Sequence, residues 1–333
     1  MNRRELLTRG ALAGFGAVAL AAMPPALREA LAAAAGPPLI ERNLWPRQWE
    51  TSIDALDHSP LTENELLFVR SHLPTPSLEP RRWRLAVHGR VDRPLSFTLA
   101  ELRAMPQHEV TCVLECAGNG RGLYRLPNTS GTQWEYGAVG NVRWRGVRLA
   151  DVLERAGAAA DAGHVWLEAA DRSPFGKVPP FLRSIPAAKA RADVLLAFEM
   201  NGEPLPPLHG APCRAVVPGW YAMTSTKWLT GLRVEDHPSD NHFMVRGYRY
   251  QYPDAPSDAP APVEGIQVKS LITSVREGEV VRSGPLEVAG WAWSGRAITR
   301  VELSTDLQHW QEARLGESLG EHAWRRWEAR PTP

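Results

Sequence analysis

Alternating and helical hydrophobic periods take turns along this chain. Trp83 to Val91 alternates and predicts a strand. Leu99 to Met105 predicts a short helix that Pro106 ends. Val110 to Glu115 predicts a strand that breaks at Cys116-Ala117-Gly118-Asn119-Gly120. Leu149, Val152 and Leu153 share one helical face, so Leu149–Ala156 predicts a helix. Further strands are expected over Val165–Ala169 and Val194–Phe198, a short helix over Ile185–Arg191, a turn at Asn201-Gly202 and a strand ending at Val234. Pro37 to Asn64 carries no period and reads as irregular. In Phe68–Pro76, two prolines forbid helix and keep the segment extended, with Arg70 and His72 on one face.

Tyr252 to Val263 holds four prolines and no periodicity, which predicts a linker over 252–263. Beyond it, Leu286–Trp293 and Val301–Thr305 alternate between turn signals, as short antiparallel strands do. The expected fold class is therefore α+β, followed by an immunoglobulin-like β-sandwich. Only 68 residues follow Gly265, against roughly 100 for a whole sandwich, so the reading expects an incomplete one.

Composition changes this picture little. The chain has 333 residues, 44% hydrophobic and 23% charged, enough for one to three domains with ample core. Thirteen tryptophans and 29 prolines favour a loop-rich protein over a helical bundle. The net charge of +1 lacks the basic excess of a nucleic-acid-binding protein. The first 35 residues read as an export signal: Arg3-Arg4 stands before the apolar stretch Gly10–Ala22, and Ala32–Ala35 offers small residues for cleavage. That stretch is shorter than the roughly 20 apolar residues of a membrane span. The arginine pair is of the twin-arginine type, which predicts a periplasmic protein; an ordinary secretory signal is the alternative.

Three cysteines in an oxidising compartment need a reason. On a strand, Cys112 and Cys116 would lie on the order of 13 Å apart, beyond the roughly 7 Å that a disulfide allows. Neither a covalent c-type haem motif nor a zinc-like cysteine cluster is present. Cys116, at a strand end before a flexible turn and Arg121, is placed for chemistry on an anion.

Cys116-Ala117-Gly118-Asn119-Gly120-Arg121 resembles the sulfite oxidase family of molybdenum enzymes. The similarity runs from about Glu65 to the C-terminus and includes Phe68–Pro76, Ala197–Pro206, Val217–Leu229 and Gly290–Ser294 in the family's order. The resemblance implies a molybdenum–molybdopterin cofactor, with Cys116 as the protein's ligand to the metal; a soft thiolate suits such a centre. It implies a cofactor cradle of Arg70, His72, Cys116, Asp171, His209, Arg214, Ser225 and Lys227. It also implies substrate-side residues Arg70, Arg121 and Tyr248, with Arg325 reaching over from the second domain or, in the adjacent register, Arg326. Guanidinium groups suit an oxyanion because they stay charged and bind bidentately. The implied activity is oxidation of sulfite to sulfate, in a molybdopterin-binding domain over 36–251 and a dimerisation-type domain over 264–333.

Two departures qualify the expectation. With no haem domain in this chain, electrons would pass to a separate acceptor such as a cytochrome c. The protein would be a homodimer or a heterodimer with a cytochrome subunit. Gly120 stands where many family members carry a second arginine, which keeps open another sulfur substrate, as in sulfane dehydrogenase-like members. A non-catalytic exported binding protein is the reading from a different class.

Overall fold

The computed structural model describes residues 38–124, 130–176, 178–250, 260–281 and 284–331. The expected export signal, residues 1–35, lies outside the described residues, as does most of the expected linker.

Two sheets build the larger domain. The first runs β5 (Leu95–Phe97), β4 (Leu85–Gly89), β13 (Leu229–Glu235), β8 (His164–Ala169) and β9 (Leu182–Pro186), and only the β4–β13 pair is parallel. The second runs β11 (Glu203–Pro204), β10 (Leu195–Met200), β7 (Val139–Arg148) and β6 (His108–Glu115), with β12 (Arg214–Val216) also on β10. Leu85, Val87, Leu167 and Leu232 of the first sheet meet Val147, Leu196 and Phe198 of the second in one core. Two helices close that core: α3 (Leu149–Ala156) and α4 (Ala187–Ala192). The face of α3 read from the sequence is the buried one, Leu149, Val152, Leu153 and Ala156. Gly157 ends the helix at φ +65°, where a Cβ would meet the Asp92 carboxylate at 2.4 Å.

Two expectations are corrected. Ile185–Arg191 is not one helix, because Leu182–Pro186 is a strand paired with β8 and the helix begins only at Ala187. Arg183, Ser184 and Ile185 are all buried, so pairing and burial outweigh local helix preference there. Nor is 37–64 irregular. It holds β1 (Leu39–Asn43), β2 (Gln48–Thr51) and the single-turn helix α1 (Ile53–Leu56). Their hydrogen bonds go to one another and to β3 (Val69–Arg70), a pairing that no local period announces. The predicted helix after Leu99 is present as α2 (Leu99–Arg103), opened by a Thr98–Glu101 capping box.

The smaller domain is a four-stranded antiparallel sheet, β16 (Lys269–Ile272), β17 (Val288–Trp293), β21 (Arg325–Ala329) and β20 (Arg314–Leu315). One further pair, β18 (Glu302–Leu303) with β19 (Gln311–Glu312), supplies Leu303 to its small core. Among the described residues this is less than the two full sheets of an immunoglobulin-like sandwich, so the α+β class stands and the sandwich is not established. Residues 260–263, expected as free linker, are held: β15 (Ala261–Pro262) pairs with β14 (Arg249–Tyr250), and Val263 N donates to Tyr248 O at 2.9 Å.

The two domains share a core. Trp291, Trp293 and Trp324 pack with Leu56, Val113, Val139 and Tyr221. Trp291 and Trp324 stack at 4.6 Å and donate their indole N–H groups to the carbonyls of Leu56 and Pro60, at 2.9 and 2.8 Å. Val113 N, on β6, donates to His322 O at 2.8 Å. Strand β6 is thus gripped by both domains.

The α3 face tests this core. Leu153→Ala should lose about 2–5 kcal/mol in chemical denaturation, while Glu154→Ala on the exposed face should stay within about 0.5 kcal/mol of the parent.

Candidate active site

Alternation along β6 sends Cys112, Leu114 and Cys116 to one face and Val113 and Glu115 to the other. Cys116 ends the strand, buried at a pocket floor. Its N–H donates to Ala138 O at 2.9 Å, and Asn119 Oδ1 accepts from Ala138 N at 3.0 Å, so the turn is tied to β7 twice. All three cysteines are free. Burial pushes the Cys112 and Cys213 thiols up to about 12, which makes them inert; neither lines the pocket.

The pocket spans about 670 Å³ of space between atoms, part of it open to solvent. All eight residues expected in the cofactor cradle line it: Arg70, His72, Cys116, Asp171, His209, Arg214, Ser225 and Lys227. Tyr248 lines it too. The cations are held by neutral groups. Arg214 donates to the carbonyls of His209 and Ser225 at 2.9 and 2.8 Å and lies 4.8 Å from the Trp144 ring centre. Lys227 Nζ donates to Ser71 Oγ and Leu208 O, both at 3.0 Å. Arg70 Nη1 has no partner among the described residues. Asp171 is the one carboxylate in the lining, and its Oδ1 is likewise unpartnered.

This arrangement gathers basic side chains in a largely buried space. Burial holds Arg214 down to about 10 and Lys227 well below the usual lysine range, with Arg214 adding repulsion on Lys227. Burial, then the fields of Lys227 and Arg214, keeps His209 neutral with a value of about 3; its Nε2 donates to Asn64 O at 3.2 Å. Burial lifts Asp171 to about 6. Orphaned donors and unpaired cations around a thiol fit a group that brings phosphate oxygens and a metal already held by sulfur.

On the opposite wall Tyr248, at φ +57°, sets its hydroxyl 2.6 Å from His72 Nε2. His72 stacks on Phe181 at 4.8 Å and meets Phe243 edge-on at 4.8 Å. Burial, followed by Arg70 and Lys227, depresses His72 well below the ordinary histidine value.

Arg121 does not line the pocket. Its guanidinium donates to Thr132 O at 3.1 Å and fills the space between Gly118 and Gly131, where a Cβ would lie 2.7 and 2.4 Å from it. Its field still reaches Tyr248. Arg325 is a correction: it donates to Gly316 O at 3.0 Å and Ile298 O at 3.2 Å inside the smaller domain and faces no pocket atom. Arg326 pairs with Asp57 and also stays outside. They are adjacent on β21, so their side chains leave opposite faces, Arg325 within the smaller domain and Arg326 toward Asp57 of the larger one. Sequence reasoning missed Ser71, Phe181 and Met223 in the lining, and Arg183 behind it. Arg183 is buried 5.4 Å from the Tyr248 ring centre and donates to Phe243 O. Its buried position on β9 could be seen only after Ile185–Arg191 was known to start as strand.

Comparisons with known proteins agree with this geometry. Residues 72–243 match the family model of an oxidoreductase molybdopterin binding domain, and residues 261–330 that of a Mo-co oxidoreductase dimerisation domain. The chain is 39% identical over 303 residues to mitochondrial sulfite oxidase of Mus musculus, covering 85% of this chain and 55% of that protein. It is 34% identical over 295 residues to sulfite oxidase of Arabidopsis thaliana, covering 83% and 75%. The crystal structure of the sulfane dehydrogenase SoxCD from Paracoccus pantotrophus matches with a TM-score of 0.75 at 32% identity, covering 85% of this chain and 72% of that one. The chain spans about half the length of the mouse relative. Fold and pocket thus define a molybdopterin-binding oxidoreductase domain with a dimerisation domain behind it. The chain belongs to the sulfite oxidase family of molybdenum enzymes.

Acid should destabilise the cofactor-free protein. His209 is lowered from about 6.5 unfolded to about 3 folded, so its neutral burial stabilises fully above about 6.5 and that contribution fades as pH falls towards 3. His72 acts in the same direction. Asp171, raised to about 6, has the opposite sign, favouring the fold below that value. Two histidines outweigh one carboxylate, so stability measured by urea titration should fall from pH 7 to pH 5. His209→Gln should reduce that fall by about 2 kcal/mol.

Proposed function

We propose that this chain oxidises sulfite to sulfate and passes the electrons to a separate acceptor such as a cytochrome c. The observation that carries the reading is the ring of cations without carboxylate partners around Cys116. When bound, the molybdenum–molybdopterin group supplies the two-electron oxidation and the oxygen exchange. The chain's residues do the rest. Cys116 offers the metal a thiolate. Arg214, Lys227 and Ser225 hold the anionic end of the cofactor, and Arg70 carries a free donor for a substrate oxygen. Tyr248, oriented by His72, presents a hydroxyl beside it. The aromatic side chains of Phe68, Phe181 and Trp228 give the lining a low-polarity wall, which strengthens each charge–charge contact.

A second reading keeps the chemistry and changes the substrate. Gly120 and the outward course of Arg121 leave Arg70 as the lining arginine nearest Tyr248, a thinner anion clamp than sulfite invites. Likeness to the sulfane dehydrogenase supports a related sulfur compound instead. We further propose export to the periplasm by the Arg3-Arg4 segment. The match to a dimerisation domain supports assembly as a homodimer or with a cytochrome subunit.

Purified protein should contain molybdenum and pterin and should turn over sulfite faster than thiosulfate with cytochrome c as acceptor. Protein matured with the cofactor pathway yet free of molybdenum would refute the enzyme reading, and preference for thiosulfate would favour the second substrate class. Cys116→Ser should abolish turnover with an unchanged unfolding transition; retained turnover would refute its role as ligand.

A further inference from the structure

Glu115 immediately precedes Cys116 and is fully buried. Its side chain leaves the opposite face of β6, toward the smaller domain. The carboxylate accepts from Lys269 Nζ at 2.6 Å, from Trp293 Nε1 at 3.0 Å and from Asn119 Nδ2 at 3.2 Å. The first two donors belong to the smaller domain and the third to the turn after Cys116. Asn119 in turn accepts from Ala138 N, the residue whose carbonyl receives the Cys116 N–H. The Glu115 carbonyl accepts from Ala222 N at 2.8 Å, and Ala222 lines the pocket. Among the described residues, the carboxylate's one ion-pair partner is Lys269, which also lies 5.7 Å from the Tyr221 ring centre.

An exposed ion pair would matter little. Here one partner has no access to water, so removing the other leaves an uncompensated buried charge. The carboxylate would then shift or draw in water to replace the lost donor, and either change alters its bond to Asn119. Asn119 closes the turn that begins at Cys116, its N–H donating to Cys116 O at 2.9 Å.

We propose that Lys269 is a positioning residue for the Cys116 thiolate. Acting through Glu115 and Asn119, it lets the smaller domain fix the geometry at which the thiolate meets the metal. The inference rests on the functional reading above, with Cys116 as ligand.

The test compares holoenzymes of wild type, Lys269→Met, Lys269→Arg and the charge-free pair Lys269→Met/Glu115→Gln. Molybdenum content, the thiolate-to-molybdenum absorption band of the oxidised protein, kcat and KM are measured. Lys269→Met should shift the band and lower kcat about 10–100-fold with KM little changed, as loss of support behind a metal ligand does. Lys269→Arg and the charge-free pair should move both back toward wild type. A wild-type band and kcat in Lys269→Met, with only thermal stability reduced, would make the pair a tie between domains and overturn the proposal. If Lys269→Met does not fold, Lys269→Gln is read by the same band and kcat, and wild-type values there overturn it equally. Wild-type protein lacking molybdenum would instead overturn the functional reading on which the proposal stands.

Discussion

Basic side chains gathered without carboxylate partners around a largely buried pocket are the constraint around which this protein is arranged. Arg70, Arg214 and Lys227 are brought together with a single carboxylate among them. Main-chain carbonyls and hydroxyls hold them in place but do not neutralise them. Burial answers by weakening the hold of Arg214 and Lys227 on their protons. An anionic occupant removes that cost, so binding and folding are linked.

The second element of the design is the strand that serves both domains. Period-two geometry lets β6 present Cys116 to the pocket and Glu115 to the smaller domain from adjacent positions. Trp291 and Trp324 of the smaller domain donate to carbonyls of the larger one and Trp293 donates to the Glu115 carboxylate, so the burial of these three leaves none of their indole N–H groups unpaired. An interface next to Cys116 is a means of fixing that side chain's geometry without placing further groups inside the pocket.

Much of the site was legible in the chain. The motif at Cys116 and the spaced partners at Arg70, His72, Asp171, His209, Arg214, Ser225, Lys227 and Tyr248 all meet at one cavity. Most helices and strands with clear periods formed where the pattern put them, α3 to the residue. What failed has one cause. The strands within 39–51 are defined by partners in β3 and in each other, and the strand at Leu182–Pro186 by β8. Such pairings reward contacts between distant residues and leave little local signature.

The sequence by itself determined the chemistry on offer: which side chains are cationic, where a thiol ends a strand, and which faces are apolar. These follow from residue type and from periods of 2 and 3.6, which are local properties. Only the tertiary structure decided direction. It turned Arg121 along the surface of its turn, kept Arg325 within the smaller domain and brought Arg183 behind Tyr248. It also joined Lys269 to Glu115 across 154 positions of chain. Side-chain direction depends on which sheet a strand joins and what packs against it, and neither is written in any short stretch of sequence.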